Sequence, residues 1–432
     1  MKLAIHGGTP VRTKLFPAYK TIGEEEKVAV IQVLESGSLS RFLGCWHEDF
    51  YGGPEVQALE KEWAEYFGVK HAIAVNSCTS GLYCAVGATG IEPGEEVIVS
   101  PYTMCASATA PLIYSAIPVF ADIEENFYCL DPQSVEEKIT PRTRAIIVVD
   151  IFGLPYNVDA INSIAKKHGL IVIEDTAQAP GALYKEQYAG TLADIGVYSL
   201  NYHKHIHSGE GGIIVTDNDG LAEKLRLIRN HAEAVVEGKG VKDLVNMVGF
   251  NYRMTEIEAA IARCQLKKLR PLLGKRQNNV RYLEEKVRGI PAVTFPRVRN
   301  ECTHAYYVHA CKFNDEIAGI SRDRFIEAIR AELAPHEMRE GEGVKISSGY
   351  VKPLYLQPLF QNKVAYGSKG YPFTQACYKG EVDYSKGICP ISERMHEKEL
   401  FMHEMILPSM TETDIDDVAQ AFKKVWENRN LL

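Results

Sequence analysis

Along residues 20–285, short β-branched runs alternate with stretches of helical spacing. Strand signals fall at 71–75, 96–100, 119–121, 145–149, 169–175, 195–200 and 212–216. Helix-compatible stretches lie at 22–37, from Pro54 onward with Val56, Leu59, Trp63 and Phe67 on one face, and at 103–115, 132–139, 157–168 and 221–228. This alternation predicts an α/β fold whose mostly parallel sheet is covered by helices on both sides. Thr255 and Glu258 match a capping box at the head of a long amphipathic helix. Past residue 286 the pattern changes to a strand-like run at 306–312, a helix at 322–333, and a last helix from Thr411 with Ile415, Val418, Phe422 and Val425 on one face. The predicted organisation is an arm over 1–20, a large domain over 21–285 and a smaller C-terminal α+β domain over 286–432, with an irregular insertion at about 360–390.

Chemistry concentrates in two stretches of the large domain. Residues 194–216 read DIGVYSLNYHKHIHSGEGGIIVT, two strands joined by a polar connection that carries Lys204 and a run of glycines fit for close backbone approach. Upstream, GLIVIEDTAQ is a buried parallel-type strand ending in Asp175, with Gln178 three positions on. Strand C-termini are where open α/β sheets bind ligands. Pyridoxal 5'-phosphate (PLP) needs an amine for a Schiff base, a carboxylate to keep its pyridine nitrogen protonated, and an anion site for its phosphate. Lys204, Asp175 and Ser199 fit those three tasks. A third stretch, NSCTSG at 76–81, runs from a strand into a helix start and offers N–H groups, hydroxyls and the positive end of a helix dipole to an anion.

Four motifs in order, VNSCTSGLYCA, IEDTAQAPGA, SLNYHKHIHSGEGG and GFNYRMTEIEAAIARCQL, resemble the DegT-type sugar aminotransferases from about Gly7 to Pro408. The resemblance implies the type I fold of PLP-dependent transferases, with a mostly parallel seven-stranded sheet in the large domain. It places the cofactor phosphate against Thr79 and Ser80, with Ser199, and sets Gln178 beside the ring's phenolic oxygen. Asn251 is carried over as a residue that reaches a neighbouring subunit's site, which implies a homodimer with shared active sites. Two positions depart from the family's habit: Met104 stands where relatives carry a ring that stacks on the pyridine, with Tyr102 as the nearby substitute, and Asp150 stands where relatives often show histidine. The aromatic content of the 360–390 insertion predicts an ordered lid over the substrate.

Composition narrows the choice. A net charge of −8 spread along 432 residues excludes an electrostatic nucleic-acid footprint, and no apolar run approaches membrane-spanning length, so a cytoplasmic protein is expected. Ten cysteines without a Cys-x-x-Cys pair predict free thiols. His203, His205 and His207 would align on a strand as metal ligands, but no carboxylate or cysteine completes such a set and no metal is expected. The leading function is a PLP-dependent transaminase moving an amino group from glutamate or glutamine to a ketone of a sugar nucleotide, cyclitol (inosose) or similar polyol. The alternatives are a PLP-dependent sugar 3-dehydratase, in which histidine replaces the Schiff-base lysine, and a regulator that has lost turnover.

Overall fold

The structure is a computed structural model and describes residues 2–432; Met1, the first residue of the expected arm, lies outside the described residues. Seven strands form the larger sheet: β1 (His71–Val75), β2 (Glu96–Val99), β3 (Ile117–Phe120), β4 (Thr143–Val149), β5 (Ile171–Asp175), β6 (Ile195–Ser199) and β7 (Gly212–Thr216). Their order is β1-β7-β6-β5-β4-β2-β3, and only β7 runs antiparallel to its neighbours. Alternate residues serve opposite cores. Val97, Val99, Ile147, Ile173 and Ile214 pack with helices Cys78–Ala88 and Asp219–Arg229, while Ile98, Ile146, Val148 and Val172 pack with helix Val158–His168. Each fully buried aliphatic side chain contributes about 1.5–3 kcal/mol, so burial on both faces is what lets such short strands persist.

Val293–Thr294, His309–Phe313, Ile346–Ser348 and Leu400–His403 form a second, antiparallel sheet. Phe313, Phe325, Phe401 and Phe422 build its core with helices Arg322–Ala331 and Glu412–Glu427. The arm joins this unit: Leu3 and Phe16 enter the same core, and Arg12 pairs with Asp414 at 2.7 Å and Asp417 at 2.9 Å. Helix Glu256–Val287 carries the expected Thr255–Glu258 capping box. Its early residues Ala259, Leu266 and Leu269 pack with Trp63 and Phe67, and its last ones, Val280, Leu283 and Val287, pack in the second core. The expected boundary at 285 therefore falls inside a helix that both cores share.

One expectation changes on contact with the fold. The 360–390 insertion is irregular, but no residue of it lines the cavity described below, so it is not a lid over this chain's site. Its aromatics bury instead against β3, at the sheet's edge: Phe360 and Tyr384 pack on Phe120, and Tyr384 donates to the Pro118 carbonyl at 2.7 Å. Covering an edge strand shields its unpaired backbone from other chains. On helix Glu24–Glu35, the face bearing Val28, Ile31 and Leu34 is about half exposed rather than packed on the chain's own core. All ten cysteines are free, and among the described residues no helix is long and apolar enough to cross a membrane.

Asp150 and Glu174 form a buried pair of acids on the far side of β5 from Asp175. Glu174 accepts from the Gly190 and Leu192 amides at 2.7 and 3.0 Å, and Asp150 from the Tyr156 amide at 2.9 Å. Burial raises both carboxyls, Glu174 to about 7 and Asp150 well above its usual value, where the neighbouring Glu174 charge adds to the effect. An acid raised on folding contributes stability below its unfolded value that is lost as pH climbs through the folded one. Asp150→Asn mimics a neutral Asp150, so its stability relative to wild type should grow between pH 5 and 9, by on the order of 1 kcal/mol; denaturant melts across that range check it, and a flat difference overturns the account of a raised Asp150. Tyr384→Ala should cost about 3–5 kcal/mol and open the 360–390 segment to limited proteolysis; an unchanged cutting rate there would show that the segment is not held by β3.

Candidate active site

Strands β1, β4, β5 and β6 end on the same side of the sheet, and the residues that follow them line one cavity of about 310 Å³. It is bounded by Ser77, Cys78 and Thr79 after β1, Val149 at the end of β4, Asp175 and Gln178 after β5, and Ser199, Asn201, His203 and Lys204 after β6. The side chains converge because each strand end is fixed by two-sided burial, while the turns beyond it are polar. Gly212, which opens β7, shows how tightly the parts meet: a Cβ there would lie 2.7 Å from the Ser77 and Cys78 backbone. The close approach expected of this glycine run is made by the protein's own helix-start loop.

Asp175 is 5% exposed. Ser107 donates to it at 2.7 Å and the Ala177 amide at 3.2 Å. Burial raises its carboxyl, an effect these donors and the more distant Lys204 charge oppose. A carboxylate sealed among neutral donors and facing a cavity is a site built for a cation, and a protonated pyridine nitrogen answers that need. The expected cofactor fits on this observation. Lys204 Nζ lies 4.4 Å from the centre of the Tyr307 ring, a cation–π contact that holds the amine without neutralising it.

Gln178 is locked at both ends: its carbonyl accepts from the Phe152 amide at 2.7 Å and its amide donates to Tyr350 Oη at 3.2 Å, leaving one N–H free for a ligand. Ser77 caps helix Cys78–Ala88 by accepting from the Ser80 amide at 3.0 Å. Thr79 and Ser199 face the cavity beside that helix start, where free amides and the dipole favour an anion.

Not every expected residue is brought in. Ser80 lies outside the cavity lining, its hydroxyl bonded to Asn76 and Ser77 within the cap. Asn251 is exposed, its side chain accepting from Arg253 at 2.7 Å, and it is absent from this chain's cavity. Met104 does line the cavity and is half exposed, its sulfur accepting from the Ala106 amide at 3.1 Å. Tyr102 is fully buried and takes the Tyr350 amide on its hydroxyl at 2.9 Å, so it backs Tyr350 and cannot stand in for Met104. The three histidines lie in a turn, not a strand, and diverge: His203 lies against Tyr202 with the two rings tilted by 37°, buried His205 bonds the Ala305 carbonyl at 2.9 Å, and only His203 reaches the cavity. Residues 38–51 contribute nothing to the lining. Sequence reasoning missed Tyr307, Tyr350, Ser107 and Glu210, which accepts from Asn201 at 3.0 Å. Of these only Glu210, in the GEGG run, had a local signal; the others arrive through tertiary folding.

The DegT/DnrJ/EryC1/StrS aminotransferase family matches residues 20–423. The chain is 32% identical over 410 residues to the spore coat polysaccharide biosynthesis protein SpsC of Bacillus subtilis, covering 94% of this chain and 95% of that one. It is 32% identical over 443 residues to a putative L-glutamine:3-amino-2,3-dideoxy-scyllo-inosose aminotransferase of Streptoalloteichus tenebrarius, covering 100% and 99%. Its fold matches the crystal structure of S. venezuelae DesV in complex with a ketimine intermediate at a TM-score of 0.77, with 27% identity over 96% of this chain and 99% of that one.

Asp175→Asn should separate stability from turnover. An amide is cheaper to bury than a carboxylate, so the cofactor-free protein should melt at the same temperature or higher, while activity falls about 10²–10⁴-fold. Calorimetry and initial rates on one preparation check it; equal losses in both would make Asp175 a structural residue.

Proposed function

Because the chain belongs to the DegT/DnrJ/EryC1/StrS aminotransferase family, we propose that it moves an amino group from glutamine or glutamate to a ketone of a cyclitol, or of a sugar nucleotide, with Lys204 as the catalytic amine. The supporting observation is a single cavity that holds Lys204, a buried Asp175 and the head of helix Cys78–Ala88 together. The family's enzymes are PLP-dependent aminotransferases. When bound, PLP draws electrons from the carbon next to the amino nitrogen and so makes that carbon's proton removable.

Asp175 would hold the ring nitrogen in its protonated form. The free N–H of Gln178 would meet the phenolic oxygen. Thr79, Ser199 and the amides after Ser77 would hold the phosphate, with Met104 packing a polarisable sulfur against the ring. Lys204 would take the proton from the substrate carbon and return it at the neighbouring position, with Tyr307 steadying its ammonium form between the two events. The cyclitol choice rests on the end-to-end match to the putative inosose aminotransferase. A homodimer accords with the exposed apolar face of helix Glu24–Glu35 and with Asn251, which stands outside this cavity and would serve its neighbour's.

Sugar 3-dehydration is the second reading, since His203 borders the same cavity. Its ring lies against Tyr202, tilted by 37° with ring centres 3.6 Å apart, whereas the Lys204 amine is the group poised over Tyr307. Borohydride treatment of PLP-loaded protein should therefore fix the cofactor on the Lys204 peptide, and Lys204→Ala should lose that tag and at least about 10³-fold in activity. Incubation with glutamine or glutamate and a panel of inososes and keto-sugar nucleotides should yield an amine by mass spectrometry. A deoxygenated product without nitrogen would favour the dehydratase, and a tag elsewhere would remove Lys204 from the role.

A further inference from the structure

One face of the smaller sheet carries an unusual trio for a hydrophobic layer. His309 and Cys311 are two apart on strand His309–Phe313, and His403 on strand Leu400–His403 is the direct register partner of His309. All three are 1–2% exposed, and one ligand atom from each lies within 4.8 Å of the others. Leu283, Phe401 and Phe422 pack around them, an environment in which a strand needing only packing carries aliphatic residues.

We propose that His309, Cys311 and His403 bind one zinc-class divalent cation as a structural site, separate from the aminotransferase cavity. Two imidazoles and a thiolate are a borderline-to-soft donor set that suits zinc and not magnesium or calcium. Zinc bonds of about 2.0–2.1 Å to nitrogen and about 2.3 Å to sulfur at tetrahedral angles place ligand nitrogens about 3.4 Å apart, and nitrogen and sulfur about 3.6 Å apart. Cys311 Sγ lies 3.6 Å from His309 Nδ1 and 3.8 Å from its Nε2, and His309 Nδ1 lies 3.0 Å from His403 Nε2, so the three donors are already gathered and the thiol has to swing off the imidazole face toward the Nδ1 lone pair to share an ion with it.

The surroundings add two observations. Glu284, on helix Glu256–Val287, meets His309 Nε2 at 3.0 Å; a carboxylate behind a ligating histidine fixes the tautomer that turns its lone pair to the metal. The hydrogen-bonded pair does not satisfy itself either, since His403 Nδ1 is buried with no partner. Charge balances within the cluster: one thiolate and the Glu284 carboxylate offset the two positive charges of the ion. On binding, Cys311 releases its thiol proton to solvent, and His403 keeps its ring proton by moving it from Nε2 to Nδ1. Three protein ligands leave a fourth position for a water molecule.

The test uses the full-length holoenzyme, stripped with a chelator and then given zinc chloride or cobalt chloride alone. Wild type should take up about one zinc per chain by elemental analysis, melt at a higher temperature with zinc, and show a thiolate-to-cobalt charge-transfer band. Cys311→Ala should lose all three responses, and Cys377→Ala, which removes an exposed thiol, should keep them. A wild type without a zinc-dependent melt or a cobalt–thiolate band overturns the proposal and leaves a hydrogen-bonded trio; so does a band that survives in Cys311→Ala. Should that variant fail to fold, the wild-type cobalt titration decides the matter alone.

Discussion

Asp175 stands at the end of β5 with a hydroxyl and an amide for partners, and burial raises its carboxyl. Taking a charge from water costs several kcal/mol when no counter-charge meets it, and the rest of the large sheet can be understood as supporting that cost. β5 is central, flanked by parallel β4 and β6, and its side chains alternate between two packed cores. Hydrophobic burial on both faces fixes the strand end, and only a fixed end can hold an unanswered acid against the pull of solvent. The reward is electrostatic: a preorganised negative group in a dry cavity acts on a bound cation far more strongly than one in water.

Neighbouring acids on that strand show how alternation divides labour. Glu174 and Asp175 are adjacent in sequence, yet the pleat sends them to opposite faces. Asp175 borders the cavity, while Glu174 holds the turn at 190–192 and its charge helps to raise the buried Asp150. Asp150 thus serves folding, through a partner that sequence alone does not associate with it.

The seven strands, the capping box, the Lys204 connection and the Asp175 strand end were legible because each is a local pattern: alternation, a cap three residues long, an acid where a buried run stops. What escaped notice depended on distance along the chain. Tyr307 and Tyr350 reach the cavity from more than a hundred residues past Lys204, and nothing in their own segments marks them. The aromatic content of the 360–390 insertion measures how much surface wants burial and not where; in the fold its partner is the open edge of β3. Helix-start hydroxyls are interchangeable in sequence, whereas in space the cap takes that of Ser80 and leaves Thr79 to line the cavity.

The two sheets are coupled through one helix, and that coupling bears on the chemistry. Arg276 on helix Glu256–Val287 donates to the Tyr306 and Tyr307 carbonyls at 3.0 and 2.9 Å. Two turns further along, Glu284 engages His309. The segment that brings Tyr307 over Lys204 is therefore gripped at successive points by a helix whose other half is buried against the large sheet. Positioning of the amine thus depends on packing in the smaller unit, and a side chain as far from the cavity as Glu284 can influence turnover without touching any reacting group.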